Sequence, residues 1–255
     1  MPTVARFNLT PVRSTALHHP HHIELSERGA AGDRLFMFIS PDGTRLSGAA
    51  KAPLLAIRCE HDERAGRLRV TMPDGTIAEG DTSPVGERIR VALFDRETVV
   101  RPLNGAFARA ISDHLGRPAL LTRVEPEEWS RGSNAVSLVS LASVQELGRR
   151  ANVPDTPDPR RFRMLIELDG CTPHQEDSWS GRRVQIGEAT VRVGSLVPRC
   201  VITTLDPDTG RPDFPTLDVL ATYRKREREL VFGVYGSVAR PGTIRVGDPA
   251  TVLDD

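Results

Sequence analysis

Cys200 stands between Arg199 and the run Val201-Ile202-Thr203-Thr204-Leu205, and Asp206-Pro207-Asp208-Thr209-Gly210 follows. A thiol beside a cation ionises more readily, and a thiolate is both a nucleophile and a soft metal ligand. The β-branched run predicts a strand over 201–205, closed by Asp-Pro-Asp-Thr-Gly as a turn. Cys200 would then open a rigid element that can hold a site. A second reading stays open from the residues alone: a free cysteine often serves as a small buried hydrophobe. Asp206 and Asp208 have the look of paired carboxylates for acid–base work. Turn chemistry is the plainer account of both, with Asp206 kept as a candidate for lining a site at Cys200.

The elements that must position these residues read as short strands between turn signals, the pattern of β-barrels and sandwiches. Val4–Leu9 alternates. Leu35–Ile39 leads through Pro41-Asp42-Gly43 into Thr44–Leu46. Leu54–Cys59 and Arg67–Met72 flank Arg64-Ala65-Gly66 as a hairpin, and Arg88–Phe94 with Thr98–Leu103 forms another around Asp95-Arg96-Glu97. Helical spacing is confined to three stretches: Gly105–Leu115, capped by Asn104 and stopped by Gly116; Ser140–Arg150, capped by Ser140 or Ser143; and Thr216–Glu229, ending in a charged, solvated face. The fold class expected is mainly β with a few helices (α+β). A boundary near residue 104 divides a nearly all-β part, 1–104, from a mixed part, 105–255.

The 255 residues carry 34 basic and 34 acidic side chains, so no bulk field favours nucleic acid or an anionic membrane. Lys51 and Lys225 are the two lysines; the other basic residues are arginines, whose planar fork fits oxyanions. The N-terminus lacks the basic-then-apolar pattern of a signal peptide, and no run of 18 apolar residues exists. Cys59, Cys171 and Cys200 are odd in number and far apart, which argues against a disulfide framework or a zinc site and for a reducing, cytoplasmic setting. His18-His19-Pro20-His21-His22 fits no zinc spacing and is expected to be a flexible loop. Phosphate loops, zinc-protease motifs, nucleophile elbows and four-cysteine iron–sulfur sets are all missing from the sequence.

Six short motifs, in order, make the chain resemble the MOSC family, the domain found in molybdenum cofactor sulfurases and the amidoxime-reducing component. They are Pro11-Val12-Arg13-Ser14, Gly32–Ile39, Arg161-Phe162-Arg163, Glu176-Asp177-Ser178-Trp179, Val197–Gly210, and the pair Phe232-Gly233-Val234-Tyr235 with Pro241–Asp248. The resemblance implies a C-terminal β-barrel, here 105–255, an N-terminal barrel-like domain, and a molybdenum cofactor of the molybdopterin form between them. It implies Cys200 as metal ligand and catalytic centre, with Asp206 close by. Arg13, Ser14, Arg34, Ser140, Arg163 and Arg199 are the implied cofactor contacts; surface ion pairing is the plain alternative for any single arginine.

Two departures weaken the transfer of substrate. Arg13 replaces a lysine, and Met164-Leu165 replaces a Pro-Asn whose amide bonds the pterin in relatives; Leu165 has no polar side-chain atom to do so. The resemblance implies an oxidoreductase that takes oxygen from a small N-hydroxylated or related substrate. Its electrons would come from a separate ferredoxin- or cytochrome-like protein. Two rivals are a cofactor or sulfur carrier that uses Cys200, and a ligand-binding barrel in which Cys200 merely packs. Trp179 is expected in the core or lining the cleft, and Cys171 is read as structural.

Overall fold

A computed structural model describes residues 1–46, 52–93, 96–103, 105–125, 128 and 132–254. An eight-stranded sheet dominates. Its path runs Thr3–Phe7, Ile166–Asp169, Val136–Ser140, Glu229–Arg240, Ala189–Pro198, Arg183–Ile186 and Ala250–Val252, with Lys225–Arg226 added beside Glu229–Arg240. The two ends of that path meet. Thr3 bridges Pro249, the Val4 N–H donates to the Asp248 carbonyl (2.9 Å), and the Ala250 N–H donates to the Pro2 carbonyl (2.9 Å). The sheet is therefore a nearly closed barrel, which removes most exposed edge.

Alternation explains the barrel interior. Arg183–Ile186 and His22–Ser26 bury every second residue, so one side of each strand faces the core. Phe7, Leu138, Ile166, Leu168, Trp179, Val191 and Val234 share that core, each at most 4% exposed. A fully buried side chain of this size contributes about 1.5–3 kcal/mol over its exposed state. Trp179 thus belongs to the core. Cys171 packs half-buried against it, where burial and the Glu176 and Asp169 charges push its thiol up to about 12.

A second layer comes from the middle of the chain. Phe36–Ile39, Leu120–Val124, Arg96–Pro102 and Ile89–Leu93 form a four-stranded antiparallel sheet. Arg58–Asp62, Arg67–Thr71 and Ile77–Asp81 form a three-stranded one. Helix α1 (Gly105–Leu115) buries Phe107 and Ile111 in a core shared with Phe36, Ile57, Leu68 and Leu121. Gly80 permits this contact: a Cβ there would lie 3.1 Å from the Phe107 ring. Strands from both sides of residue 104 enter both sheets, since Thr3–Phe7 is part of the barrel and Leu120–Val124 part of the four-stranded sheet. Asn104 itself, and the hairpin turn at 94–95, lie outside the described residues.

Helix α2 (Leu141–Ala151) connects the barrel's one parallel strand pair, Val136–Ser140 and Ile166–Asp169, as parallel pairing requires. Ser140 is its N-cap: Oγ accepts from the Ser143 N–H (3.1 Å).

Four sequence expectations need correction. Residues Val201–Thr204 form a short 3-10 helix, not a strand, so Cys200 follows the strand Ala189–Pro198 rather than opening one. The cause is local: Thr203 Oγ1 donates to the Cys200 carbonyl (3.0 Å) and Thr204 Oγ1 to that of Val201 (2.7 Å), so the hydroxyls tighten a turn that β-branching alone would extend. Helix α3 spans Thr216–Tyr223 and stops well short of Glu229. Arg224 ends it by turning inward, and the charged run becomes a hairpin with Glu227 at φ 51°. The strand expected over Leu54–Cys59 begins only at Arg58. In the histidine cluster, His18 bridges Leu9 and His22 starts a strand paired with Gly242–Arg245, so backbone pairing holds both ends.

Candidate functional site

The tight loop Thr10–Thr15 sets the first half of the site. Its backbone docks on the strand Phe36–Ile39: the Arg13 N–H donates to the Phe36 carbonyl (2.8 Å) and the Phe36 N–H to that of Pro11 (2.9 Å). Thr15 Oγ1 and Thr10 Oγ1 both donate to the Val12 carbonyl, at 2.7 and 3.0 Å. This fixes Ser14 at φ 73°. Asp33 Oδ1 accepts from the Thr10 N–H (3.1 Å), and the Arg34 N–H donates to the Thr10 carbonyl (2.7 Å).

Arg34 and Arg163 arrive from distant parts of the chain. Arg163 caps the 3-10 turn Pro159–Phe162. Arg34 Nη2 donates to the Arg163 carbonyl (3.1 Å), and Arg163 Nη2 donates to the Thr15 carbonyl (2.7 Å). Arg34 Nη1 also pairs closely with Asp33. Three of the residues singled out from sequence, Ser14, Arg34 and Arg163, hold left-handed backbones (φ 73°, 55° and 53°). Such conformations are uncommon for residues other than glycine and persist where surrounding contacts over-determine them, which happens preferentially at functional sites.

The electrostatics of this cluster favour an anion. Burial, and then the neighbouring Arg34 charge, push the Arg163 guanidinium down to about 9, against an opposing pull from Asp33. Two guanidinium groups thus share one nearby carboxylate, and a bound oxyanion would relieve both effects. A small, water-sized cavity on the Arg13–Ser14 side of the loop is lined by Arg13, Ser14, Met37, Phe38, Arg45, Leu46 and Leu54. Arg45 is a residue the sequence reading missed. It follows an ordinary Asp-Gly turn, and the bridge Ile39↔Arg45 brings it to this cavity.

Cys200 is exposed, which removes the reading of it as a packed core residue. Arg199, its neighbour, faces the other way. Arg199 Nε donates to the Phe232 carbonyl (2.9 Å), Nη1 to that of Phe162 (3.0 Å), and Nη2 lies 2.8 Å from Met164 Sδ. Burial lowers its pKa to about 10. Arg199 therefore anchors the Cys200 segment on the turn that Arg163 caps, and its donors are spent inside the protein. Asp206 is likewise occupied: Oδ1 accepts from the Asp208 N–H (3.2 Å), the Thr209 N–H (2.7 Å) and Thr209 Oγ1 (2.7 Å). Burial pushes its carboxyl up, but the Thr209 and Asp208 hydrogen bonds outweigh that and hold it below the usual range. The carboxylate closes its own turn.

Ser140 belongs to a different set of partners. It is fully buried, its Oγ lies 2.6 Å from Ser143 Oγ, and its N–H donates to Glu176 Oε1 (3.1 Å). Glu176 also accepts from Ser143 Oγ (2.9 Å), and burial pushes its carboxyl upward. Next to it, Asp177 Oδ2 pairs with Arg224 Nη2 at 2.6 Å. The Glu-Asp-Ser-Trp stretch thus ties α2, α3 and the barrel together. Leu165 is buried in the barrel, its N–H donating to Ser137 Oγ (2.9 Å), so its side chain faces no cleft.

The family model for the MOSC domain matches residues 112–251. Mitochondrial amidoxime reducing component 2 from Homo sapiens is 43% identical over 97 residues, 34% of this chain and 28% of that protein. Mitochondrial amidoxime-reducing component 1 from Homo sapiens is 25% identical over 283 residues, covering 98% of this chain and 83% of that protein. At the higher identity, then, the chain spans well under two thirds of its relative's length. The crystal structure of the YUAD protein from Bacillus subtilis aligns with 97% of this chain and 93% of its own, at a TM-score of 0.46 and 12% identity.

Proposed function

Because the chain belongs to the MOSC domain family, we propose that it binds a molybdenum cofactor and reduces oxidised-nitrogen compounds such as N-hydroxylated small molecules. The observation that carries this reading is the pair Arg34 and Arg163, both in left-handed backbones, with Arg34 bonded to the carbonyl of Arg163 at the end of the turn that also anchors the exposed Cys200 segment. The donor set fits a phosphate-bearing, sulfur-ligated group. Arg13, Ser14, Arg34, Arg45 and Arg163 would hold phosphate and ring carbonyls, and Cys200 would supply a soft thiolate. When bound, the cofactor would supply the oxygen-atom and two-electron chemistry.

The chain's own residues do the holding. Asp33 keeps Arg34 oriented, the Arg163 and Thr15 carbonyls accept from the Arg34 and Arg163 guanidiniums in turn, and Arg199 fixes the backbone before Cys200. Asp206 shapes the loop after Cys200 through three hydrogen bonds on Oδ1, which hold its carboxyl below the usual range and make it a weak base. Arg199 and Ser140 act through structure. Electrons would come from a separate ferredoxin- or cytochrome-like protein, and a cytoplasmic setting accords with three thiols and no disulfide.

The test is molybdenum per protein by elemental mass spectrometry, after expression in a cofactor-producing host, for the parent and Cys200→Ser. Near-stoichiometric metal in the parent, with loss or an altered metal spectrum in the variant, supports the reading. A parent free of molybdenum, from a host that loads a related enzyme, overturns it. One observation favours the alternative of a sulfur or cofactor carrier: Leu165 is sealed in the barrel where the resemblance expects an amide facing the pterin. A transferable persulfide on Cys200 would mark that role.

A further inference from the structure

We infer that Arg161 is a positioning residue for Cys200. Arg161 is 3% exposed, on the turn Pro159–Phe162. Its guanidinium forks onto Asp213, with Nη1 to Oδ1 at 3.0 Å and Nη2 to Oδ2 at 2.7 Å. Nη1 also donates to the Thr203 carbonyl at 3.2 Å. That carbonyl takes a second bond from Thr216 Oγ1 at 2.5 Å. Thr203 in turn grips Cys200, donating its N–H (3.1 Å) and its Oγ1 (3.0 Å) to the Cys200 carbonyl.

The path from Arg161 to the backbone of Cys200 is therefore two hydrogen-bonded links, all of them buried or partly buried. On the other side of Cys200, Arg199 donates to the carbonyl of Phe162, the residue after Arg161. Adjacent residues of one turn thus clamp the segment before and after the thiol. Cys200 itself accepts nothing through its side chain from Arg161, so the arginine acts through Thr203. The planar fork matters here: a lysine ammonium is a single point and cannot reproduce the bidentate contact with Asp213 while also reaching the Thr203 carbonyl.

The inference deepens the reading of Cys200 as a metal-binding thiolate and rests on it for its purpose, but its test needs no metal. The full chain would be purified from a host that makes no molybdopterin, as parent, Arg161→Lys and Thr203→Val. Alkylation of each cysteine by iodoacetamide would be timed by peptide mass spectrometry, beside a thermal melt. Arg161→Lys keeps the buried charge, and Thr203→Val keeps shape and backbone, so both are expected to fold. The expected result is a change of about threefold or more in the Cys200 rate for both variants, in the same direction, with the Cys171 rate unchanged. The double variant should change no more than the stronger single one, because both act on one path. A Cys200 rate equal to the parent's in folded Arg161→Lys, or Cys171 shifting in parallel, would overturn the inference and leave Arg161 as a brace of the fold. The parent's molybdenum content, read separately from a cofactor-producing host, tests the cofactor reading alone, so either reading can fail without the other.

Discussion

Arg34 Nη2 donates to the backbone carbonyl of Arg163 across 129 positions of sequence, at 3.1 Å, and both residues hold positive φ. The bond holds the Arg34 guanidinium against the Arg163 backbone, and burial, then the Arg34 charge, depress the Arg163 guanidinium to about 9. A polyanion should then stabilise the protein. Inorganic pyrophosphate is expected to raise the melting temperature by a few degrees in the parent, and by much less in Arg163→Met. The sign of the pH effect follows. Arg163 binds fewer protons folded than unfolded as pH rises through about 9, so its penalty is relieved there. Without anion, the parent should gain on Arg163→Met above that pH, and a melt series from pH 7 to 10 checks it.

His174 titrates in the opposite part of the scale. Burial, and then Arg224, lower it to about 4, and its ring packs against Tyr223 and Phe232. A base depressed in the folded state contributes stability that is present above its unfolded pKa and lost as pH falls towards the folded one. Between pH 6.5 and 4 the parent should therefore lose stability faster than His174→Phe, as followed by urea unfolding at fixed temperature.

Glu176 carries the complementary sign. Its carboxyl is raised by burial, so stability falls as pH climbs from the ordinary carboxyl range through the raised value. Glu176→Gln keeps an oxygen to accept from Ser140 and Ser143, and should flatten that fall, being relatively more stable at pH 8 than at pH 4. Glu176→Ala leaves the Ser140 N–H buried and unbonded, and should lose about 1–3 kcal/mol in denaturant titrations at neutral pH.

Arg224 and Asp177 make the most consequential ion pair near α3. Arg224 Nη2 meets Asp177 at 2.6 Å with its side chain 6% exposed, and Nε donates to the Val231 carbonyl. Arg224→Ala would strand a partly buried carboxylate and is expected to cost about 3–5 kcal/mol, which calorimetry would register as a clear drop in melting temperature. Arg226→Ala, on the exposed hairpin, should change it by less than about 0.5 kcal/mol.

The residues that were legible in the sequence are those whose signal is local. The Ser140 cap, the strand from Phe36, the 89–102 hairpin and the helical phase of Phe107 and Ile111 all follow from neighbours a few positions away. What was not legible depended on distant contacts. The turn after Cys200 is β-branched by composition, yet Arg161 and Thr216 converge on the Thr203 carbonyl and hold it tight. Arg224 reads as part of a helix until Asp177 draws it inward. Arg45 carries no local mark at all. That Arg199 and Ser140 spend their polar groups inside the protein was decided by packing and carried no mark in the sequence.

Thr3 and Pro249 close the barrel, and Arg34 and Arg163 join the loop Thr10–Thr15 to the turn Pro159–Phe162. Both seams join segments that leave a ribosome far apart in time. The barrel cannot close until Pro249 has been made, whereas the second seam needs the chain only as far as Arg163. High sequence separation of this kind also slows folding. Closure of the barrel is thus expected to be the late step, after the two loops have met.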